Sequence, residues 1–196
     1  FPLAVFEAIR DAAGPAFLLE ARISGRDGIA GGIEPDDVGR FVHMLEGIAD
    51  SVHISSGIYS DPVATEQFSS MYAPHGCNVD MAAIVKSHTA LPVGVVGGIN
   101  SPELAEEILA QGKADYVVMA RQMIADPELP NKALAGKERE IRRCIRCFKC
   151  FPGSPEAGYE GPDDGEPMMM KVGSCTINPK ANLPVAIDDM PKPTGM

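Results

Sequence analysis

Three cysteines stand two residues apart in Cys144-Ile145-Arg146-Cys147-Phe148-Lys149-Cys150, and a fourth, Cys175, follows 25 positions beyond the last of them. Thiolates at this spacing wrap one side of a compact inorganic core, and a distant fourth closes it. Tetrahedral zinc accepts four thiolates equally well, so ligand spacing alone leaves the metal open. In a cytosolic chain, which this one is expected to be, such bunching points to metal ligation over disulfides, with reduced structural thiols as the plainer alternative. The fifth cysteine, Cys77, stands alone and reads as a small buried apolar residue.

A second chemistry is carried by glycines and arginines. Val96-Gly97-Gly98-Ile99-Asn100 and Met119-Ala120-Arg121 each close a run of strand-forming residues. Glycine lets the backbone approach closely, and amide N–H groups with the Arg121 guanidinium can hold a dianion such as a phosphate. The simpler reading of Gly97-Gly98 is a tight turn. Alternation in Leu18, Glu20, Arg22 and Ser24 puts Arg22 on one face of a strand near its C-terminal end. A guanidinium buried there needs an electron-rich partner such as the N1/O2 edge of a reduced flavin; a salt bridge to Asp27 would also satisfy it. Tyr59, in a loop after the next strand, could donate a proton through its phenol. None of His43, His53, His75 and His88 shows ligand pairing with another histidine; each reads as structural, with His75 the best outside candidate.

These residues need elements to hold them. The opening stretch carries Val5, Phe6 and Ile9 at helical spacing and stops at Gly14-Pro15. Strands are predicted over 16–24, 51–55, 92–96 and 115–120. Helices are predicted over 35–48, 78–89, 101–112 and 128–135. Strands that alternate with helices pair in parallel, because a parallel connection needs a crossover, so the class is α/β. Four units fill an open doubly wound sheet poorly but make half of a (β/α)8 barrel. Barrel phosphate sites lie in the loops after strands seven and eight, which would make these the last four strands. After Lys137 the chain turns Cys-rich, then Gly/Pro/Asp-rich, then Met-rich at Met168-Met169-Met170. Two regions are therefore expected: residues 1–137 as a half-barrel, and 138–196 as an extension held by a ligand rather than by a core.

Composition narrows the partners. With 45% hydrophobic and 22% charged residues the 196-residue chain is expected to fold as a soluble protein. Its net charge of −10 repels phosphate backbones and anionic lipid surfaces, which argues against nucleic acid as a partner. No apolar run reaches the roughly 20 residues of a membrane span, and the start lacks a signal-peptide pattern, so a cytoplasmic location is expected. The first residue is Phe, and the opening already reads as mid-helix, which suggests a fragment or a processed chain.

In combination these motifs resemble the old yellow enzyme family, specifically its larger iron-sulfur branch of 2,4-dienoyl-CoA reductase-like enoate reductases. EARISGRDG matches the fifth barrel strand, DSVHISSGIYS the sixth, LPVGVVGGINSPELAEEIL the seventh and ADYVVMARQMIADPELPNKALAG the eighth. RRCIRCFKC and SCTINP resemble the cluster-binding region. The resemblance implies that Arg22 contacts the FMN pyrimidine edge and that Gly97, Gly98, Ala120 and Arg121 hold the FMN phosphate. It further implies that Cys144, Cys147, Cys150 and Cys175 ligate a 4Fe-4S cluster. The implied reaction is reduction of an activated C=C bond of a small unsaturated substrate with electrons from NAD(P)H. Departures from the family pattern are Gly97-Gly98 in place of Gly-Arg, Ala120 in place of Gly, and Ile54-Ser55-Ser56-Gly57 where dienoyl-CoA reductase has a catalytic His. An insert, Gly153 to Glu166, also lengthens the approach to Cys175. The family's first four strands and its FAD/NAD(P)H region would have to come from outside these residues or from another chain, or a second copy would have to complete the barrel. The competing expectation is a non-catalytic structural or electron-relay subunit whose cysteines bind zinc.

Overall fold

The structure, a computed structural model, describes residues 1–58, 68–150 and 175–181. Tyr59, the Gly153–Glu166 insert and the Met168–Met170 run lie outside the described residues. The chain divides into two compact units, Phe1–Met119 and Ala120–Met196, a boundary earlier than the composition break at Lys137.

In the first unit, helix α1 (Pro2–Ala13) precedes strand β1 (Glu20–Ser24), helix α2 (Pro35–His43), strand β2 (Ser51–Ser55), helix α3 (Val79–Lys86), strand β3 (Val93–Val95), helix α4 (Pro102–Ala110) and strand β4 (Tyr116–Val117). Proline enters α2 and α4 in the first turn, where its missing N–H has no intrahelical role. The Ser101 hydroxyl caps α4 by accepting from Leu104 N–H at 3.3 Å. Helix α2 stops at His43, short of the predicted Ile48: the N–H groups of Met44 and Leu45 bond only three residues back, to Phe41 O at 3.0 Å and Val42 O at 2.9 Å, so the chain leaves the helix in tight turns. The first strand starts at Glu20 instead of Ala16. The last one narrows to Tyr116–Val117, flanked by Asp115 N–H to Val93 O at 2.7 Å and Val118 N–H to Val95 O at 2.9 Å.

All strand pairs are parallel, and their spatial order is β1-β2-β3-β4, the order of the chain. Each crossover therefore leads to the adjacent strand without the reversal that defines a doubly wound sheet. One sheet face, with Ala21, Val52, Ile54, Val93 and Val95, packs against Val38 and Val42 of α2, Met81, Ala82 and Val85 of α3, and Ala105 and Ile108 of α4. Burying each of these larger aliphatic side chains contributes on the order of 1.5–3 kcal/mol. Helix α2 also lies close against the turn that follows α3: a Cβ on Gly39 would lie 2.5 Å from the His88 ring.

The opposite face is polar. Register places Arg22 beside His53, His53 beside Gly94, and Gly94 beside Tyr116, with Glu20 and Ser51 one step before them. An apolar inner face is expected of a half-barrel awaiting its other half, but strand alternation here delivers Glu20, Arg22, Ser24, Ser51, His53 and Ser55 to it. Tyr116 lies across this face. Its ring passes over Gly94, where a Cβ would come within 2.2 Å of the ring, and its hydroxyl reaches the Glu20 carboxylate and sits 2.9 Å from Val52 O. Burial, reinforced by the Glu20 carboxylate, pushes the phenol pKa up to about 12, so Tyr116 stays neutral and keeps its proton.

The second unit begins with helix α5 (Arg121–Ala125), then helix α6 (Leu129–Leu134) and a 3-10 turn (Glu138–Glu140). Helix α5 was not expected from the sequence. Asp126, at its end, is fully buried and accepts from Lys132 Nζ at 2.6 Å and from the N–H groups of Arg142 at 2.9 Å and Glu128 at 3.2 Å. Burial alone would raise the carboxyl pKa, but Lys132 and the two amides outweigh it and hold it below the usual carboxylate range. A depressed folded-state pKa means that this stabilisation is present above the unfolded carboxyl's pKa near 4 and is lost as pH falls through the folded value. Asp126→Ala is expected to cost about 2–3 kcal/mol by leaving buried donors unsatisfied, and to flatten the acid limb of a pH-dependent unfolding curve. Parent-like stability of the variant at pH 7 would show that this network is not structural.

Candidate functional site

The strand ends of the first unit bring together three loops. Gly97 has φ 152° and Gly98 φ 64°, conformations that an L side chain rarely adopts. The buried Asn78 fixes this turn: its Nδ2 donates to Val96 O at 2.7 Å, and a Cβ on Gly97 would lie 2.9 Å from that same nitrogen. His75 Nδ1 lies 2.6 Å from Gly98 O, so the loop before α3 clamps the glycine pair from both ends. Of these two clamps the sequence singled out only His75. Asn78 went unnoticed, although a polar residue wedged between Cys77 and an apolar helix start is the kind of signal that marks a buried amide. The neighbouring ends are joined by Gly25 N–H to Ser55 O at 2.8 Å and by the Ser24 hydroxyl to Gly57 O at 2.7 Å.

Arg22 is exposed on the polar sheet face, not buried as its position suggested. Asp27, its alternative partner, caps its own loop by accepting from Ile33 N–H at 3.0 Å. His53, beside Arg22, is 7% exposed. Burial first, and then the Arg22 charge, lower its pKa, which keeps the imidazole neutral at pH 7. Its Nε2 is buried without a hydrogen-bond partner among the described residues.

In the second unit Cys144, Cys147, Cys150 and Cys175, which come from two separate segments, line one cavity with Arg121, Ile145, Phe148, Thr176 and Ile177. Helix α5 organises both cysteine segments. The buried Gln122 accepts from Cys144 N–H at 2.7 Å and donates to Arg142 O at 3.0 Å, while the buried Asn178 donates to Ile124 O at 2.8 Å. Arg146 and Phe148 take left-handed conformations, with φ 58° and 61°, that curl the loop around the cavity. The curl aims Arg146 N–H at Cys144 Sγ, 3.4 Å away. The Arg121 guanidinium lies 4.8 Å over the Phe148 ring in a cation–π contact. Burial raises the Cys144 and Cys150 thiol pKa values, against which the Arg146 amide at Cys144 and the Arg121 charge at both act in favour of thiolate. Cys147 Sγ is 3.1 Å from Thr176 Oγ1. Among the described residues no three His, Cys, Asp or Glu side chains form a group that could hold a single metal ion. Ala120 is exposed immediately before α5.

Residues 1–140 match the family model described as "NADH:flavin oxidoreductase / NADH oxidase family". The chain belongs to that family. This agrees with the old yellow enzyme resemblance carried by the motifs. Among curated relatives, the chain is 35% identical over 188 residues to the NADH oxidase of Thermoanaerobacter brockii, covering 92% of this chain and 26% of that protein. It is 36% identical over 118 residues to the bilirubin reductase of Clostridium symbiosum, covering 59% of this chain and 32% of that one. Among solved structures, histamine dehydrogenase from Rhizobium sp. 4-9 superposes with a TM-score of 0.75 at 26% identity, covering 92% of this chain and 24% of that one. The chain thus spans about a quarter to a third of the length of these relatives. The family is one of flavin oxidoreductases. No helix among the described residues is long and apolar enough to cross a membrane.

Proposed function

We propose that this chain is the second half of a flavin-binding (β/α)8 barrel with a cysteine-ligated extension, within an enzyme that reduces activated C=C bonds with electrons from NAD(P)H. The observation that carries the reading is the convergence of both cysteine segments on one cavity, in a chain whose first 140 residues match a flavin oxidoreductase family. The unreversed strand order supports the half-barrel, since sequential parallel strands with helices on one face curl toward closure. The first four strands, and a region binding FAD and NAD(P)H, belong to other parts of the protein or to another chain. The name of the bilirubin reductase relative supports an unsaturated small molecule as substrate.

FMN and a 4Fe-4S cluster, when bound, supply hydride and one-electron chemistry respectively. The residues present suit both. On the sheet, Arg22 is free to turn its guanidinium to the flavin's pyrimidine edge and to stabilise the negative charge gained there on reduction. The turn at Gly97 and Gly98 offers close backbone approach to a phosphate. Neutral His53 beside Arg22 adds no second charge to the flavin face. At the cavity, a single tetrahedral zinc would draw four sulfurs to roughly 3.8 Å from one another, given Zn–S bonds of about 2.3 Å. Four thiolates suit zinc and a 4Fe-4S cluster alike, and the likeness of RRCIRCFKC and SCTINP to a cluster-binding region favours the cluster. The Arg146 amide and the Arg121 guanidinium then offset the charge of four thiolates.

Anaerobically purified full-length protein should show flavin bands with a broad iron-sulfur shoulder that bleaches on reduction. A colourless protein containing zinc would overturn the reading.

A further inference from the structure

Cys147 and Thr176 belong to different cysteine segments, yet Cys147 Sγ and Thr176 Oγ1 lie 3.1 Å apart at the rim of the shared cavity. Either atom could donate in the free thiol state, but a thiolate bound to metal can only accept. In the ligated protein the hydroxyl must therefore be the donor. The arrangement is built rather than incidental, because Asn178, two residues on, is buried and anchors this segment to Ile124 O at 2.8 Å.

We propose that Thr176 is a positioning residue that raises the reduction potential of the cluster by donating its hydroxyl to the Cys147 thiolate, an inference that rests on the cluster reading of this site. Uptake of one electron spreads negative charge over the sulfurs, and a fixed O–H dipole aimed at one of them stabilises the reduced state more than the oxidised one. No proton moves, since Thr176 keeps its hydrogen in both states. The Arg146 amide acts on Cys144 in the same sense at 3.4 Å, but from the backbone, so Thr176 is the handle that substitution can reach. Thr176 is exposed and water competes for its hydroxyl, which limits the effect.

The test is a dithionite titration of anaerobically purified full-length protein, followed by electron paramagnetic resonance, on the parent, Thr176→Val and Thr176→Ser. Valine keeps the shape and removes the donor; serine keeps the donor. Thr176→Val should shift the one-electron equilibrium about tenfold toward the oxidised cluster, equivalent to about 59 mV, and Thr176→Ser should titrate with the parent. A parent-like potential in Thr176→Val with full iron and sulfide overturns the role of Thr176 and leaves the cluster intact. A parent protein lacking iron and sulfide overturns the cluster reading itself. If Thr176→Val does not retain its iron, Thr176→Ala removes the hydroxyl without added bulk, and a parent-like potential in that variant overturns the proposal equally.

Discussion

Replacing Cys147 with Ser should strip iron and acid-labile sulfide from the full-length protein and loosen the whole stretch from Arg142 to Cys150. Residues 141–148 have no regular secondary structure. Within the second unit their backbone is tied down by Gln122 and Asp126, with Arg146 N–H turned toward Cys144 Sγ. On the proposed reading such a segment would draw its order from the ligand, with bonds to metal standing in for buried apolar area. Serine is nearly isosteric but a poor ligand for iron, so the change removes one corner of the site without filling the cavity. Hydrogen exchange at the Cys144 and Arg146 amides should accelerate about tenfold or more, equivalent to the loss of one charge-assisted hydrogen bond of ~1.5 kcal/mol. Iron and sulfide at the parent level would show that Cys147 is not a ligand.

Gly97→Val should abolish tight FMN binding. The glycine sits at φ 152°, a conformation that side chains rarely adopt, and valine brings a branched, stiff Cβ to it. Its Cβ would lie 2.9 Å from Asn78 Nδ2 and 3.1 Å from the Asn78 backbone nitrogen. The amide cannot retreat without giving up its bond to Val96 O at 2.7 Å, and the backbone nitrogen belongs to the residue that starts α3. The turn must then rearrange, and its amides no longer converge on one anion. Strain of about 1–3 kcal/mol together with lost phosphate contacts gives an affinity at least ~100-fold weaker. A fluorescence titration with FMN measures this directly, and a dissociation constant within a fewfold of the parent would remove Gly97 from the cradle. Thermal unfolding in parallel separates a damaged site from a damaged fold.

What could be read from the sequence was whatever depends on local spacing. The i, i+3 and i+6 cysteines marked one loop, which with Cys175 lines a single cavity, the helix–strand alternation declared parallel pairing, and the period of two put Arg22 and Ser24 on one face. The family followed from the order of these motifs. Element ends were less legible: α2 ran out into i→i−3 turns at Met44 and Leu45, and partner length set β4, since a strand extends only as far as its neighbour pairs with it. Tertiary structure alone decided which residues hold the site together. Gln122 meets Cys144 across 22 positions, Asn178 meets Ile124 across 54, and Tyr116 reaches Glu20 across 96. No periodicity connects such pairs, because each partner obeys only the geometry of its own element until packing brings them together. The same holds for Thr176: nothing next to it in the chain announces Cys147, and only the return of the second cysteine segment to the cavity puts a hydroxyl against that sulfur.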